Sequence, residues 1–516
     1  MAVTMMKAKK LLKRITTERV LPIPFTILIA VACLVISSYV LASWLMRPIG
    51  DDYNSLVAYH IDASWWRILL DTVLTSGGRY GQTFVSVIWY GLLGQTGLRL
   101  TGLVSVGLFI TAAYLAILAW QKGKKQALNH KYAVIGAALF FTFYTMISVT
   151  FPWIRGHVDN TFQDFLWLPG FITYTLPLEL LVILAATVVL LPAATKLKVK
   201  WLVVIGLLSV FAGTFSEIVP AAYTEFLAII AIYHLIKYRF KIKQLIRERM
   251  RSYIPFLTIE AGLLIGLVLN FLSPATSKRR AIFEQATTSE IIKQSFKSSR
   301  EYLSTYMVGS SATDHTGIWF TIISSVALGL FVIAALKLRK NWQLVRHIAL
   351  LSGFFGVMAL SALFISFAIV FKGYGISPYT YLAPRFEIIY NIWFSLFFIS
   401  LGVLVAAILV VIAAQRRTVY LIPLAYVLVS LCLVYSVPRV LQQMSTRFQA
   451  VAVFSANWQN QDIQLRESAA NHVDAVTIPV VDIGDSYNIR CGTADNWLGL
   501  IKEDYYDIPT ICSIAE

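Results

Sequence analysis

The fold of this 516-residue chain is decided by its first apolar run, LPIPFTILIAVACLVISSYVLASWLM, which occupies residues 21–46. The run is long enough to cross a bilayer as a helix, which needs about 20 apolar residues. It exceeds the ~7–15-residue apolar core of a cleaved signal peptide, so we expect a retained signal anchor. The basic stretch from Lys7 to Arg19 should stay in the cytoplasm, and the residues after Met46 should therefore emerge on the opposite side.

The composition is that of a polytopic membrane protein. Hydrophobic residues make up 58% of the chain and charged residues 14%, whereas soluble domains average ~25% charged residues. The net charge of +17 comes from basic residues in short loops between apolar runs, which favours contact with membrane lipids and argues against nucleic acid. We predict an all-α bundle of about eleven transmembrane helices in the plasma (cytoplasmic) membrane, with the N-terminus in the cytoplasm.

The chain divides into a membrane domain over residues 1–437 and a tail over residues 438–516. A first external loop over residues 47–82 is expected to carry surface helices. The stretch from Thr83 to Trp120 is interpreted as a partly embedded helix followed by one span.

The tail differs in character from the rest of the chain. From Ser455 to Glu516 it holds ten acidic residues against three basic ones, and the run Asp474–Asp482 is rich in β-branched residues. We expect a small α/β cap on the extracytoplasmic side. Cys491 and Cys512 form a candidate disulfide there, and the alternative is two unpaired thiols.

Two adjacent carboxylates, Asp51 and Asp52, follow the first span. Repulsion between like charges and proximity to lipid favour carboxylates that bind protons. Such a base could accept the proton of a hydroxyl that attacks an activated donor. The alternative is a solvated helix end or a cap for the surface helix.

Several cations lie in segments predicted to be external. Arg79 stands between glycines, where it suits either a phosphate or carboxylate partner or an interfacial anchor. The loop 273–316 contradicts the positive-inside tendency, and Arg385 opens the tenth span. Paired cations of this kind bind a lipid phosphate, although a solvated loop also tolerates them. The basic residues of that loop are Lys278, Arg279, Arg280, Lys293, Lys297 and Arg300.

Glu217 and two aromatic residues complete the candidate site. Glu217 falls at the junction of two apolar runs, where it lies either in a functional cavity or in a short external turn. Trp167 and Tyr174 belong to an aromatic-rich external loop. Such residues form an interfacial belt or stack on sugar rings.

This layout resembles the GT-C superfamily of membrane glycosyltransferases, whose acidic motif lies in the first external loop and is matched by Asp51-Asp52. It is most similar to a bacterial multi-span subgroup in which the acidic pair is followed by Gly-Arg, here Gly78-Arg79. The resemblance covers most of the membrane domain.

Three further elements follow in the same order. A Trp-x-x-Gly-x-x-x-Tyr-x-x-Pro element spans Trp167 to Pro177, and a Gly-x-x-x-Glu element spans Gly213 to Glu217. A Pro-Gly-Asn-x-x-Arg element is present only in the degraded form Pro274-Ala-Thr-Ser-Lys-Arg279, which lacks its glycine and asparagine.

The resemblance implies an inverting transfer of a sugar from a polyprenyl-phosphate donor to a glycan or other cell-envelope acceptor on the outer face of the membrane. Asp51 or Asp52 would be the general base, and Glu217 would orient the substrate. Some relatives use a divalent cation, Mg²⁺ or Mn²⁺, which Asp51 and Asp52 would hold. The donor phosphate would be bound by Arg79, Arg279, Arg280 and Arg385.

Other functions remain open at this stage. A transporter or flippase of a lipid-linked or anionic solute would use the same external cations. A glycan polymerase or ligase, or a sugar acyltransferase, would share the architecture but not the donor. The chain has no internal repeat of the kind that builds many transporters, which favours the transferase.

Overall fold

The structure is a computed structural model, and nearly all of the residues that it describes are helical. Those residues are 22–48, 52, 55–56, 64–75, 79–124, 126–150, 165–192, 198–238, 242–276, 286–308, 316–335, 342–374, 387–415, 421–479 and 497–514.

Fourteen helices and two strands carry the fold in these ranges. The helices are α1 (Pro22–Trp44), α2 (Trp65–Thr75), α3 (Tyr80–Gly123), α4 (His130–Thr150), α5 (Leu176–Leu190), α6 (Val199–Gly213), α7 (Ile218–Lys237), α8 (Ile242–Leu272), α9 (Thr288–Val308), α10 (Thr316–Ala335), α11 (Trp342–Tyr374), α12 (Glu387–Gln415), α13 (Leu421–Ala470) and α14 (Trp497–Tyr506). The strands are β1 (Ala475–Pro479) and β2 (Thr510–Ile514). A short α-turn, Leu168–Gly170, and a π-helix, Phe171–Thr175, lead directly into α5.

Nine helices within the described ranges are long and apolar enough to cross a membrane. Two shorter apolar helices, Val199–Gly213 and Ile318–Leu330, are not counted among these nine. The chain is thus an all-α integral membrane protein. The count of eleven spans stays a prediction, as does the orientation of the helices.

Helix α3 is bent within its apolar stretch. Its backbone leaves helical geometry at Gly94, where φ is 52° and ψ is −136°. The bend separates a first part, Tyr80 to Leu93, from a longer second part that begins at Gln95. The stretch interpreted as two helical pieces is therefore divided at a glycine, a residue that tolerates positive φ.

The bundle has one large core and a smaller one beside it. The large core joins α1, α3 and α4 to α10, α11, α12 and α13. The smaller core is built by α5, α6, α7 and α8. A third group of buried side chains, called here the α3 cluster, comprises Leu56, Tyr90, Leu98, Leu168, Phe171, Ile172 and Phe215.

The C-terminal segment forms a small α/β unit. Strands β1 and β2 pair in parallel, with Ala475 opposite Thr510, and α14 lies between them in the chain. A strand is thus found within the run that the sequence predicted to be strand-like. Helix α13 runs through Pro438, and the division of the chain into a membrane domain and a tail at that position stays a prediction.

Candidate functional site

The first turn of α3 is fixed against the turn that connects α6 and α7. The Gly81 amide donates a hydrogen bond to the Thr214 carbonyl, with N and O 3.1 Å apart. A Cβ atom at Gly81 would lie 2.5 Å from the Phe215 ring, closer than real Cβ contacts allow. Glycine is therefore what permits the two segments to approach.

This approach brings Arg79 and Glu217 together. Arg79 Nη2 lies 3.1 Å from Glu217 Oε2, and the side chains are 12% and 25% exposed. Arg79 also stands over the ring of Tyr174, with its guanidinium carbon 5.9 Å from the ring centre. Three predicted site residues, separated by up to 138 positions in the sequence, thus meet at one place.

Glu217 is positioned by close packing of α6 against α8. A Cβ atom at Gly213 would lie 2.5 Å from the Leu263 carbonyl oxygen, so the two helix backbones are in contact there. The Asn270 side chain also donates to the Gly213 carbonyl, with N and O 3.2 Å apart. The Gly-x-x-x-Glu spacing has a physical basis, because the glycine seats the helix end that precedes the glutamate.

Tyr174 is held by the irregular segment before α5. It lies in the π-helix Phe171–Thr175, all of whose residues are buried. π-Helical turns are frequent at functional sites because they shift side chains relative to a regular helix. Trp167 is buried at the start of the same segment, and its carbonyl accepts the Phe171 amide at 2.9 Å.

Asp52 is the most enclosed charged residue of the site. It is 1% exposed, and one of its carboxylate oxygens, Oδ1, accepts a hydrogen bond from the Tyr90 hydroxyl. Tyr90 belongs to the first part of α3 and is 3% exposed. The hydrogen bond fixes the orientation of the carboxyl group within the α3 cluster.

Asp52 and the Arg79–Glu217 pair both border the α3 cluster. Arg79 directly precedes the first residue of α3, and its φ of −103° and ψ of 83° are not helical. The α3 cluster contains both Tyr90, the donor to Asp52, and Phe215, which lies two residues before Glu217. The buried carboxylate and the ion pair therefore lie in the same region of the fold.

Two arginines, Arg47 and Arg99, lie close together near the end of α1. The pKa of Arg47 is lowered, mainly because the side chain is partly buried and further because the charge of Arg99 is close. The carboxylate of Asp462 acts in the opposite direction. Arg47 also stands over the Trp458 ring, with 6.0 Å between its guanidinium carbon and the ring centre. This contact connects the start of the first loop to α13.

The C-terminal unit reaches the α3 cluster. The Gln95 side chain donates to the Tyr505 hydroxyl, with N and O 3.0 Å apart, directly after the bend in α3. Tyr505 also packs against the apolar side chains of the α3 cluster. Residues far apart in the sequence therefore contribute to the same region.

The structure brings together Asp52 with Tyr90 and Arg79 with Glu217 and Tyr174, and it places Trp167 in the segment that carries Tyr174. Asp51, Arg279, Arg280, Arg385 and Cys491 lie outside the described residues. Cys512 is in β2, and the proposed disulfide stays a prediction.

Sequence reasoning missed two residues of this region. Tyr90 lies in an apolar run with no polar neighbour to mark it, and Tyr505 lies more than 400 positions from its partner Gln95. Among the described residues, no group of three or more His, Cys, Asp or Glu side chains could hold a metal ion. The predicted divalent cation stays untested.

The chain matches no protein-family model, no curated protein and no solved structure.

Proposed function

We propose that this protein is an inverting glycosyltransferase that moves a sugar from a polyprenyl-phosphate donor to a hydroxyl of a cell-envelope acceptor. The observation that supports this most directly is a buried carboxylate, Asp52, that borders the same cluster of buried side chains as the Arg79–Glu217 ion pair. A base and a phosphate-binding cation in one region of the fold are what a transfer between a hydroxyl and a lipid phosphate requires.

In the proposed reaction the acceptor oxygen attacks the anomeric carbon of the donor sugar. The bond from that carbon to the phosphate oxygen breaks, and polyprenyl phosphate leaves with the electron pair. The hydroxyl proton passes to the carboxylate of Asp52 or of its neighbour Asp51. Arg79 stabilises the charge on the leaving phosphate, since guanidinium groups bind phosphate oxygens through paired hydrogen bonds.

Two features of the site bear on how substrates enter. Arg79 is bound to Glu217, so a phosphate must share or displace that carboxylate. Asp52 is 1% exposed, so the acceptor reaches it only after the surrounding side chains move. Both features favour a site that becomes competent when the donor binds.

The test is to incubate the purified protein with a panel of polyprenyl-phosphate sugars and a cell-envelope extract that supplies the acceptor, and to measure release of polyprenyl phosphate. We expect release by the wild type, and none by a variant carrying both Asp51→Asn and Asp52→Asn. Asparagine keeps the size of aspartate and its hydrogen-bonding oxygen, so the variant should fold normally. Asp504→Asn, at an exposed position of α14, is the matched control and should release lipid phosphate at the wild-type rate.

Near-normal release by the double variant would refute the assignment of the base. Movement of the lipid-linked sugar across vesicle membranes without release of lipid phosphate would instead favour a transporter. Absence of release from every donor would count against a polyprenyl-phosphate substrate.

A further inference from the structure

Two glutamates in the middle of membrane-spanning helices contact hydroxyl groups of neighbouring helices. Glu225 of α7 is hydrogen-bonded through Oε1 to the Ser361 hydroxyl of α11. Glu260 of α8 lies with Oε1 2.5 Å from the Thr224 hydroxyl of α7. Glu225 follows Ile218, the first residue of α7, by seven residues, which is about 10 Å along the helix axis. Both contacts therefore lie well inside the spans.

The Ser361 hydroxyl has more close acceptors than hydrogens. Its oxygen lies 2.8 Å from the Val357 carbonyl and 3.3 Å from the Met358 carbonyl, and it also contacts Glu225 Oε1. A serine inside a helix commonly donates to the carbonyl four residues earlier. Once its single hydrogen is used there, the contact with Glu225 becomes a hydrogen bond only when the carboxyl group supplies the hydrogen.

The same arrangement recurs at the adjacent residue of α7. The Thr224 hydroxyl lies 2.9 Å from the Pro220 carbonyl, again four residues earlier, and 2.5 Å from Glu260 Oε1. Its one hydrogen satisfies only one of these acceptors. A hydrogen on the Glu260 carboxyl allows the second hydrogen bond to form. The contacts of Glu225 and Glu260 therefore both favour a protonated carboxyl group.

The surroundings also favour neutral carboxyl groups. Within the described ranges, no lysine, arginine or histidine forms an ion pair with Glu225 or Glu260. The second oxygen of each carboxyl is buried and has no hydrogen-bond partner among the described residues. An unpaired carboxylate is costly at this depth, and a neutral acid is much less so.

We propose that Glu225 and Glu260 are proton-binding sites, each carrying a proton that it donates to the facing hydroxyl. The two acids hold α7 to α11 on one side and to α8 on the other. One titratable group that lies beside Glu260 is the phenol of Tyr223, which donates to the Phe256 carbonyl at 3.3 Å. This assignment is independent of the proposed transferase activity.

Infrared difference spectroscopy of the full chain in lipid bilayers tests the proposal. Spectra of the wild type minus Glu225→Gln, and minus Glu260→Gln, should each show loss of one protonated-carboxyl carbonyl band at neutral pH, and each band should shift in D₂O. Glu301→Gln, at an exposed glutamate of α9, is the matched control and should remove only a carboxylate band.

A second set of variants keeps both glutamates, so that the test does not depend on the folding of Glu225→Gln and Glu260→Gln. Ser361→Ala and Thr224→Val remove the hydroxyl acceptors, so each should shift one protonated-carboxyl band to higher frequency while leaving the other in place. Loss of a carboxylate band in the Glu225→Gln or Glu260→Gln spectra would overturn the proposal. Protonated-carboxyl bands that do not respond to Ser361→Ala and Thr224→Val would overturn it as well.

Discussion

The hydrogen bond between Tyr90 and Asp52 makes Tyr90→Phe a sharp test of the site. The two residues are 3% and 1% exposed, so water cannot readily replace the lost donor. A hydrogen bond to a charged group contributes about 1.5–3 kcal/mol. We therefore expect the free energy of unfolding to fall by about that amount, which is roughly a 10- to 150-fold change in the unfolding equilibrium constant.

The assay is unfolding in mixed micelles, followed by circular dichroism and fitted to the free energy of unfolding. Tyr80→Phe is the matched control, because Tyr80 lies half-buried on the same helix. Its hydroxyl makes no hydrogen bond to a described residue, so we expect little change. This comparison isolates the hydroxyl–carboxylate contact from the general effect of removing a phenol oxygen.

A second background tests whether Asp52 is ionised. In Asp52→Asn the tyrosine donates to a neutral amide oxygen, and such bonds contribute only about 0.5–1.5 kcal/mol. Tyr90→Phe should therefore cost less in the Asp52→Asn background than in the wild type. An equal cost in both backgrounds would argue against an ionised carboxylate, and a cost no greater than that of Tyr80→Phe would refute the contact itself.

Three further predictions concern other parts of the fold. Gly213→Ala should lower the unfolding temperature, because the new Cβ would collide with a carbonyl of α8. Gly353→Ala is the control and should not lower it, because Gly353 has open space around it. Equal shifts of the two variants in a thermal melt would contradict this prediction. Burial lowers the pKa of Lys502 to about 7. Between pH 7 and about 10.5 this lysine is therefore protonated in the unfolded chain but not in the folded one. The stability of the C-terminal unit should rise with pH over that range. Lys502→Met should remove that rise, as measured by proteolysis of α14 across this range. Thr287 and Glu290 cap the start of α9 reciprocally, and the hydrogen bonds from Thr287 lower the pKa of Glu290. The first turn of α9 should therefore fray in Thr287→Ala, and also in the wild type as the pH falls through the lowered pKa. Faster amide hydrogen exchange in that turn would show the fraying.

The positions of the membrane helices were predictable because each apolar run must satisfy its own backbone hydrogen bonds in lipid. Length and apolar content therefore determine where a helix lies, as in α1, α11 and α12. The sequence is less informative about where each helix ends. The run that begins at Leu421 continues through Pro438 as one helix, because a proline inside a long helix removes one backbone hydrogen bond without forcing the chain to stop.

The partners of the site residues were less predictable. Arg79 and Glu217 were each identified from their local surroundings, but their ion pair depends on how closely two helices can approach. That approach depends on Gly81 and Gly213, which have no side chain to keep the segments apart. The sequence shows these glycines but not which segments lie opposite them. Tyr90 gave no signal, since a tyrosine in an apolar run is equally suited to the membrane interface.

Helix α3 is the element that gives the candidate site its geometry. Arg79 directly precedes its first residue and Tyr90 lies in its first part, and both side chains are held by partners from other segments. The bend at Gly94 separates this first part from Gln95, which contacts Tyr505 of the C-terminal unit. Tyr505 also packs against the α3 cluster, which contains Tyr90. The C-terminal unit therefore contacts the helix beyond the bend and also the cluster that includes the donor to the buried carboxylate.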